Sequence, residues 1–163
     1  MKRMCAWCGR EMPPKFGEES RISHGICELC ADDIFSNTAI PLQRYLDKLP
    51  EPVLVVDGDV SVSFMNQSAE RLTGKTTDAA PRRKGGEVFD CAHSHLPEGC
   101  GRTIHCSGCV IRRSVTATYT TGEPRVQVPA SLRRLDADGE VALTITTVKA
   151  GDTVLLRVDK VGD

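Results

Sequence analysis

Apolar and polar positions change rhythm several times along this chain. Leu42, Tyr45, Leu46 and Leu49 recur at helical spacing, which gives a short helix one apolar face. Pro41 suits the first turn of that helix, and Pro50 and Pro52 close it. Val53-Leu-Val-Val56 is then an unbroken apolar run, while Val60 to Met65 alternates apolar with polar. With Asp57-Gly58 as the turn, these two runs predict a β-hairpin. Asn66 is the expected cap of a short helix from Gln67 to Leu72, which Gly74 stops. Residues 75 to 86 are polar and basic, contain Pro81, Gly85 and Gly86, and read as loop. Ile111, Val115 and Thr118 step along one face of a longer helix that ends at Gly122-Glu-Pro124. Three strand-like runs follow, Arg125 to Leu135, Val141 to Val148 and Thr153 to Val158, with turns at Asp138-Gly139 and Gly151-Asp152.

The cysteines change this picture. All eight fall into two quartets: Cys5, Cys8, Cys27 and Cys30, then Cys91, Cys100, Cys106 and Cys109. Each quartet ends in a C-x-x-C pair, and four thiolates are what tetrahedral zinc or an iron–sulfur cluster requires. The N-terminus has no apolar signal segment and no run is long enough to span a membrane, so a cytoplasmic location is expected. In a reducing compartment, paired cysteines favour metal over disulfide.

In the first quartet two C-x-x-C pairs stand 18 residues apart, inside the spacing expected of a zinc site. About 35 residues cannot bury enough surface to fold alone, and zinc supplies the missing free energy. Gly9 permits a tight knuckle after the first pair. Pro13, Pro14 and Gly17 mark the intervening loop, and His24 is read as a loop residue. The run from Ala31 to Phe35 looks like a helix start with acidic residues placed well for its dipole. The segments Met4-Cys-Ala-Trp-Cys-Gly9 and Ser23-His-Gly-Ile-Cys-Glu-Leu-Cys-Ala31 resemble small zinc ribbons found beside bacterial signalling modules.

The later elements run strand, strand, short helices, long helix, three strands. Pro52-Val-Leu-Val-Val-Asp57, Phe64-Met-Asn-Gln-Ser-Ala-Glu-Arg-Leu-Thr-Gly74 and Thr121-Gly-Glu-Pro124 resemble the opening hairpin, the first helix and the long-helix exit of a PAS domain. The expected architecture is therefore α+β: a PAS-like five-stranded antiparallel sheet with flanking helices, preceded by a zinc-ribbon-like module. The expected division is 1–36 for the zinc-ribbon-like module, 37–50 for a linker helix and 51–163 for the PAS-like sensor domain. PAS domains serve as sensory or dimerising modules, so the resemblance implies a signalling partner such as a histidine kinase or regulator, or a second copy of the chain.

The second quartet lies where a PAS domain builds its ligand pocket. Cys91 is expected to end a short helix, Cys106 and Cys109 to sit at the start of the long one, and Ser107 to cap it. Gly99 and Gly101 give the Cys100 loop freedom to wrap a centre. An iron–sulfur cluster, structural zinc, a Cys106–Cys109 thiol switch and haem on His93 or His105 all compete here. Haem leaves four cysteines unexplained, and the segment lacks the histidine needed for covalent attachment. Thiolates suit both zinc and a cluster. A domain of this size needs no second staple, and the pocket position favours a functional centre, so the cluster is preferred. His93, His95 and His105 are expected as outer partners or surface residues rather than ligands.

A net charge of −1 and seven aromatic residues argue against a nucleic-acid surface. Arg82-Arg83-Lys84, Arg112-Arg113 and Arg133-Arg134 read as solvated charge. No catalytic triad, phosphate-binding glycine loop or kinase motif is present, so no enzyme activity is expected. The expected function is sensing redox state, oxygen or nitric oxide through the second quartet, with relay to another polypeptide, since the chain stops soon after the last strand. An interaction module with two structural zincs is the alternative, and a small thiol-redox or electron-transfer protein is a second.

Overall fold

The computed structural model of the chain describes residues 2–13, 23–35, 39–77 and 83–162. The expected loop residues Pro14 and Gly17, as well as Pro81 and Arg82, lie outside the described residues.

The N-terminal module is a small three-stranded sheet and a helix. β1 (Arg3–Cys5) pairs antiparallel with β2 (Glu11–Met12) and parallel with β3 (Ser23–Gly25). His24 thus lies in a strand, in register with Met4, rather than in a loop. Pairing with β1 brings the second C-x-x-C pair beside the first. The helix α1 (Glu28–Phe35) starts three residues earlier than its acidic run suggested, so Cys30 sits in its first turn. Next comes α2 (Ala39–Asp47), whose Leu46 is fully buried.

The larger sheet contains β4 (Val53–Val56), β5 (Val62–Met65), β6 (Arg125–Arg133), β7 (Glu140–Ala150) and β8 (Thr153–Val161). All neighbours are antiparallel, in the order β5-β4-β8-β7-β6. The unbroken apolar run of β4 has a simple cause: both faces of this part of the sheet are covered. Leu54 and Val56 enter one core with Val154, Leu156, Met65 and Val115. Val53 and Val55 enter a second core with Leu155, Val148, Leu46, Cys5 and Trp7. The first is the domain's own inner core; the second joins the outer sheet face to the N-terminal module.

Between β5 and β6 lie α3 (Gln67–Thr73), the one-turn α4 (Gly85–Val88) and α5 (Val110–Thr121). Asn66 caps α3 as expected, with its Oδ1 accepting the Ala69 N–H, and Gly74 closes the helix in the left-handed region at φ 69°. Fully buried, Asn66 also accepts from the Val53 N–H and donates to the Leu46 and Glu51 carbonyls. One side chain therefore ties α2, β4 and α3 together, with all four of its hydrogen-bonding positions filled. Gly85 and Gly86, expected in loop, form the first half of α4. The Ile111, Val115 and Thr118 face of α5 is buried, and Gly122 ends the helix at φ 77°. Among the described residues no helix is long and apolar enough to cross a membrane.

Candidate metal centres

The first quartet converges. The ligand sulfurs of Cys5, Cys8, Cys27 and Cys30 all lie within 4.8 Å of one another, and Cys8 Sγ is 3.8 Å from Cys27 Sγ. A tetrahedral zinc with bonds of about 2.3 Å has sulfur–sulfur edges of about 3.8 Å, so the donor set fits a single ion. Burial pushes the Cys5 thiol up, but N–H donors from Cys27, Cys8 and Trp7 outweigh it and bring Cys5 down to about 7. Burial and the neighbouring Cys27 and Cys8 thiols push Cys30 well up. Without a cation this cluster resists full ionisation, which is how a thiolate metal site behaves when empty of charge compensation.

The second quartet is organised differently. Cys91, Cys100, Cys106 and Cys109 all line one cavity of about 170 Å³, together with His93, His105, Val60, Phe89, Ile111 and Arg112. Among the described residues, only the first quartet meets the 4.8 Å convergence; the second stands around a space rather than around a point.

Each of its cysteines is placed by a local device. Cys91 does not end a helix: α4 stops at Val88, Asp90 turns the chain at φ 55°, and Cys91 bridges to Arg134 beside the end of β6. The Cys91 N–H donates to the Gly86 carbonyl at 2.7 Å. Cys100 packs so close to α4 that a Cβ on Gly86 would lie 2.7 Å from its sulfur. Gly101, at φ 88°, leaves room for Arg112, whose guanidinium a Cβ there would meet at 2.1 Å. Cys106 opens a 3-10 turn (Cys106–Gly108), and Cys109 is the residue preceding α5. Ser107 does not cap that helix; its hydroxyl donates to the Ile104 carbonyl, because the 3-10 turn faces it back along the loop.

The thiols differ in chemistry. Burial raises Cys91, assisted by the neighbouring Cys109 and Cys100 and only partly offset by the His93 and Ser94 N–H groups. Burial works against ionisation of Cys106 too, but there the Thr103 hydroxyl, the Thr103 and Gly101 N–H groups and the Arg112 charge win and lower it. The Gly101 N–H reaches Cys106 Sγ at 3.1 Å, and Thr103 Oγ1 lies 3.2 Å from it. His93 and His105 stack at 4.0 Å between ring centroids; burial and His105 lower His93. His95 is exposed.

Sequence reasoning missed Arg112 and Lys84, which it read as solvated charge. Arg112 Nη1 donates to Asp59 Oδ1 at 2.6 Å and Nη2 to the Asp59 carbonyl at 3.1 Å. Its charge is further favoured by Cys100, against the cost of burial. Lys84 Nζ also pairs with Asp59 and donates to Ser61 Oγ. The two cations hold the Asp59 carboxyl below its ordinary range. They clamp the β4–β5 turn, where Val60 sits at φ 60° and lines the cavity. A branched side chain in that region is strained and persists only where surrounding contacts hold it. The doublet Arg112-Arg113 carried no signal for this, because its partner is 53 positions away.

The fold and the cavity together define the class: an α+β domain on a five-stranded antiparallel sheet with a cysteine-lined pocket, joined to a four-cysteine module that could hold a metal ion. A family model described as a PAS domain matches residues 42–106. That span runs from α2 to Cys106 and includes three of the four pocket cysteines. Similar solved structures include the photoactive yellow protein domain of the sensor histidine kinase Ppr from Rhodospirillum centenum, at 18% identity. It covers 72% of this chain and 92% of its own, with a TM-score of 0.44. A domain of a sensory box sensor histidine kinase/response regulator from Geobacter sulfurreducens is 12% identical, covering 72% and 89%, with a TM-score of 0.49. The PAS domain of nitrogen regulation protein NR(II) from Vibrio parahaemolyticus is 12% identical, covering 76% and 99%, with a TM-score of 0.48. No curated protein matches the chain.

Proposed function

We propose that this chain is a cytoplasmic, non-catalytic sensory protein. Its PAS-like domain holds an iron–sulfur cluster on Cys91, Cys100, Cys106 and Cys109 and responds to redox state, oxygen or nitric oxide. One observation carries the reading: four cysteines line a single cavity of about 170 Å³ without converging on one ion position. A cluster brings its own sulfides and several irons, so its cysteines surround a volume rather than a tetrahedral point. Zinc suits the first quartet for the opposite reason.

A bound cluster supplies electron exchange and oxidant-sensitive iron. The chain's own residues do the rest. Cys106, with its donors from Gly101 and Thr103, presents the most readily ionised thiol of the pocket's shifted pair. Arg112 faces the cysteine loop on one side and Asp59 on the other, so a change of charge at the cysteines alters the clamp on the strained Val60 turn. Cys109 leads directly into α5, which packs on the sheet through Val115 and Thr118. Relay to a histidine kinase, a regulator or a second copy of the chain belongs to the same reading and rests on the PAS-like fold.

The test is the absorption spectrum and metal content of protein purified without oxygen. One zinc per chain together with iron, acid-labile sulfide and broad visible absorption that air bleaches is the expected result. Two zincs and a colourless protein would overturn the cluster and leave a scaffold with two structural metals.

A further inference from the structure

Trp7 stands between Cys5 and Cys8, inside the first metal knuckle, yet it reaches beyond its own module. It is 7% exposed and packs in the core that joins the knuckle to Val53, Val55 and Leu155 of the large sheet. Its indole N–H donates to the Tyr45 hydroxyl of α2 at 2.5 Å. Arg157, on β8, lays its guanidinium over the indole at 4.9 Å and donates from Nη1 to the Trp7 carbonyl at 2.9 Å. Such a stack on a desolvated ring is attractive, because the cation meets the negative face of the ring away from water.

The knuckle's shape depends on its sulfurs. The Cys27 N–H reaches Cys5 Sγ at 3.4 Å, and the Ala6 N–H donates to the Gly25 carbonyl at 2.7 Å, so the second C-x-x-C pair and β3 hold the two residues that precede Trp7. A segment this short keeps that shape through metal binding rather than through its own core. The residue that docks the module is therefore positioned by the site that binds the ion.

We propose that the first quartet is a metal-dependent latch: with the ion bound, Trp7 and its knuckle cover the outer face of the five-stranded sheet, and loss of the ion uncovers it. The two modules then form a protein with two inputs on opposite faces of one sheet. This inference does not depend on which metal or cluster occupies the second quartet.

Trp7 is the one tryptophan in the chain, so its fluorescence reports this knuckle alone. In the full-length zinc-loaded protein its emission is expected to be blue-shifted and poorly quenched by acrylamide. Stripping with a strong zinc chelator should shift emission to the red and raise quenching several-fold. Added zinc should restore both, with the sheet's far-UV signal kept throughout. Unchanged emission and quenching after metal analysis shows the first site empty would overturn the latch. So would joint loss of the far-UV signal, because knuckle and sheet would then be one cooperative unit.

Coupling must also run in reverse. Arg157→Gln keeps all four cysteines but removes the stack, so zinc affinity, read by competition with a metallochromic chelator, should fall about 5- to 150-fold. Trp7→Phe, which loses the N–H to Tyr45, should shift affinity in the same direction by less. Wild-type affinity in both variants would overturn the proposal.

Discussion

Cys91 and Cys106 line the same cavity and differ in which groups surround each sulfur. Cys91 is raised by burial and by two neighbouring thiols, whereas Cys106 is lowered by a hydroxyl, two backbone N–H groups and Arg112. The thiolate is the reacting form. In metal-free protein near pH 7, iodoacetamide should therefore label Cys106 before Cys91. The gap should persist through the ordinary thiol range, where Cys106 is ionised and Cys91 is not, and shrink only at higher pH as Cys91 ionises too. Arg112→Gln should narrow it at pH 7 by removing the cation. Peptide mapping by mass spectrometry checks the order, and faster labelling of Cys91 would contradict it. The identity and grouping of these cysteines were legible in the sequence, since spacing and count suffice to pick out candidate ligands. Their unequal chemistry was not, because it comes from Thr103, Gly101 and Arg112 folding back onto one sulfur.

At the scale of elements, β4 and β8 separate two cores. Leu155 and Leu156 are adjacent on β8, both fully buried, and pair with Val55 and Leu54 on β4. Leu155 faces the N-terminal module and Leu156 the inner core. Truncation of either to alanine should destabilise the protein by about 3 kcal/mol, through lost burial and the cavity left behind. Their effects on Trp7 should part: Leu155→Ala raises acrylamide quenching, while Leu156→Ala leaves it unchanged. Denaturant titration and quenching on the same samples test both halves. The run of β4 was legible as a strand of the hairpin, and the caps Asn66, Gly74 and Gly122 were readable from residue type; that β4 is buried on both sides emerged only from the two cores. The helices around the second quartet were less legible. Gly85 and Gly86 look like loop residues in any window, and only the approach of Cys100 and Val60 explains why glycine is needed in α4.

For the whole molecule, the two quartets sit on opposite faces of one sheet and share no core residue. Cys106→Ser should abolish the expected visible absorption and leave Trp7 emission alone. Cys27→Ser should expose Trp7 and leave the absorption in place. Spectra and fluorescence of the two variants, taken side by side without oxygen, measure that separation; loss of both signals in either variant would show the centres to be one unit. What the sequence determined by itself was local: the C-x-x-C knuckles, the hairpin, the caps and the order of elements, because each depends on residues a few positions apart. Tertiary structure alone decided three things. The first quartet closes on a point while the second surrounds a cavity. Arg112 meets Asp59. Arg157 meets Trp7 from 150 positions away and so covers the outer face of the sheet. Those outcomes follow from which apolar faces bury each other across the fold, and that long-range pairing leaves no periodic trace in the chain.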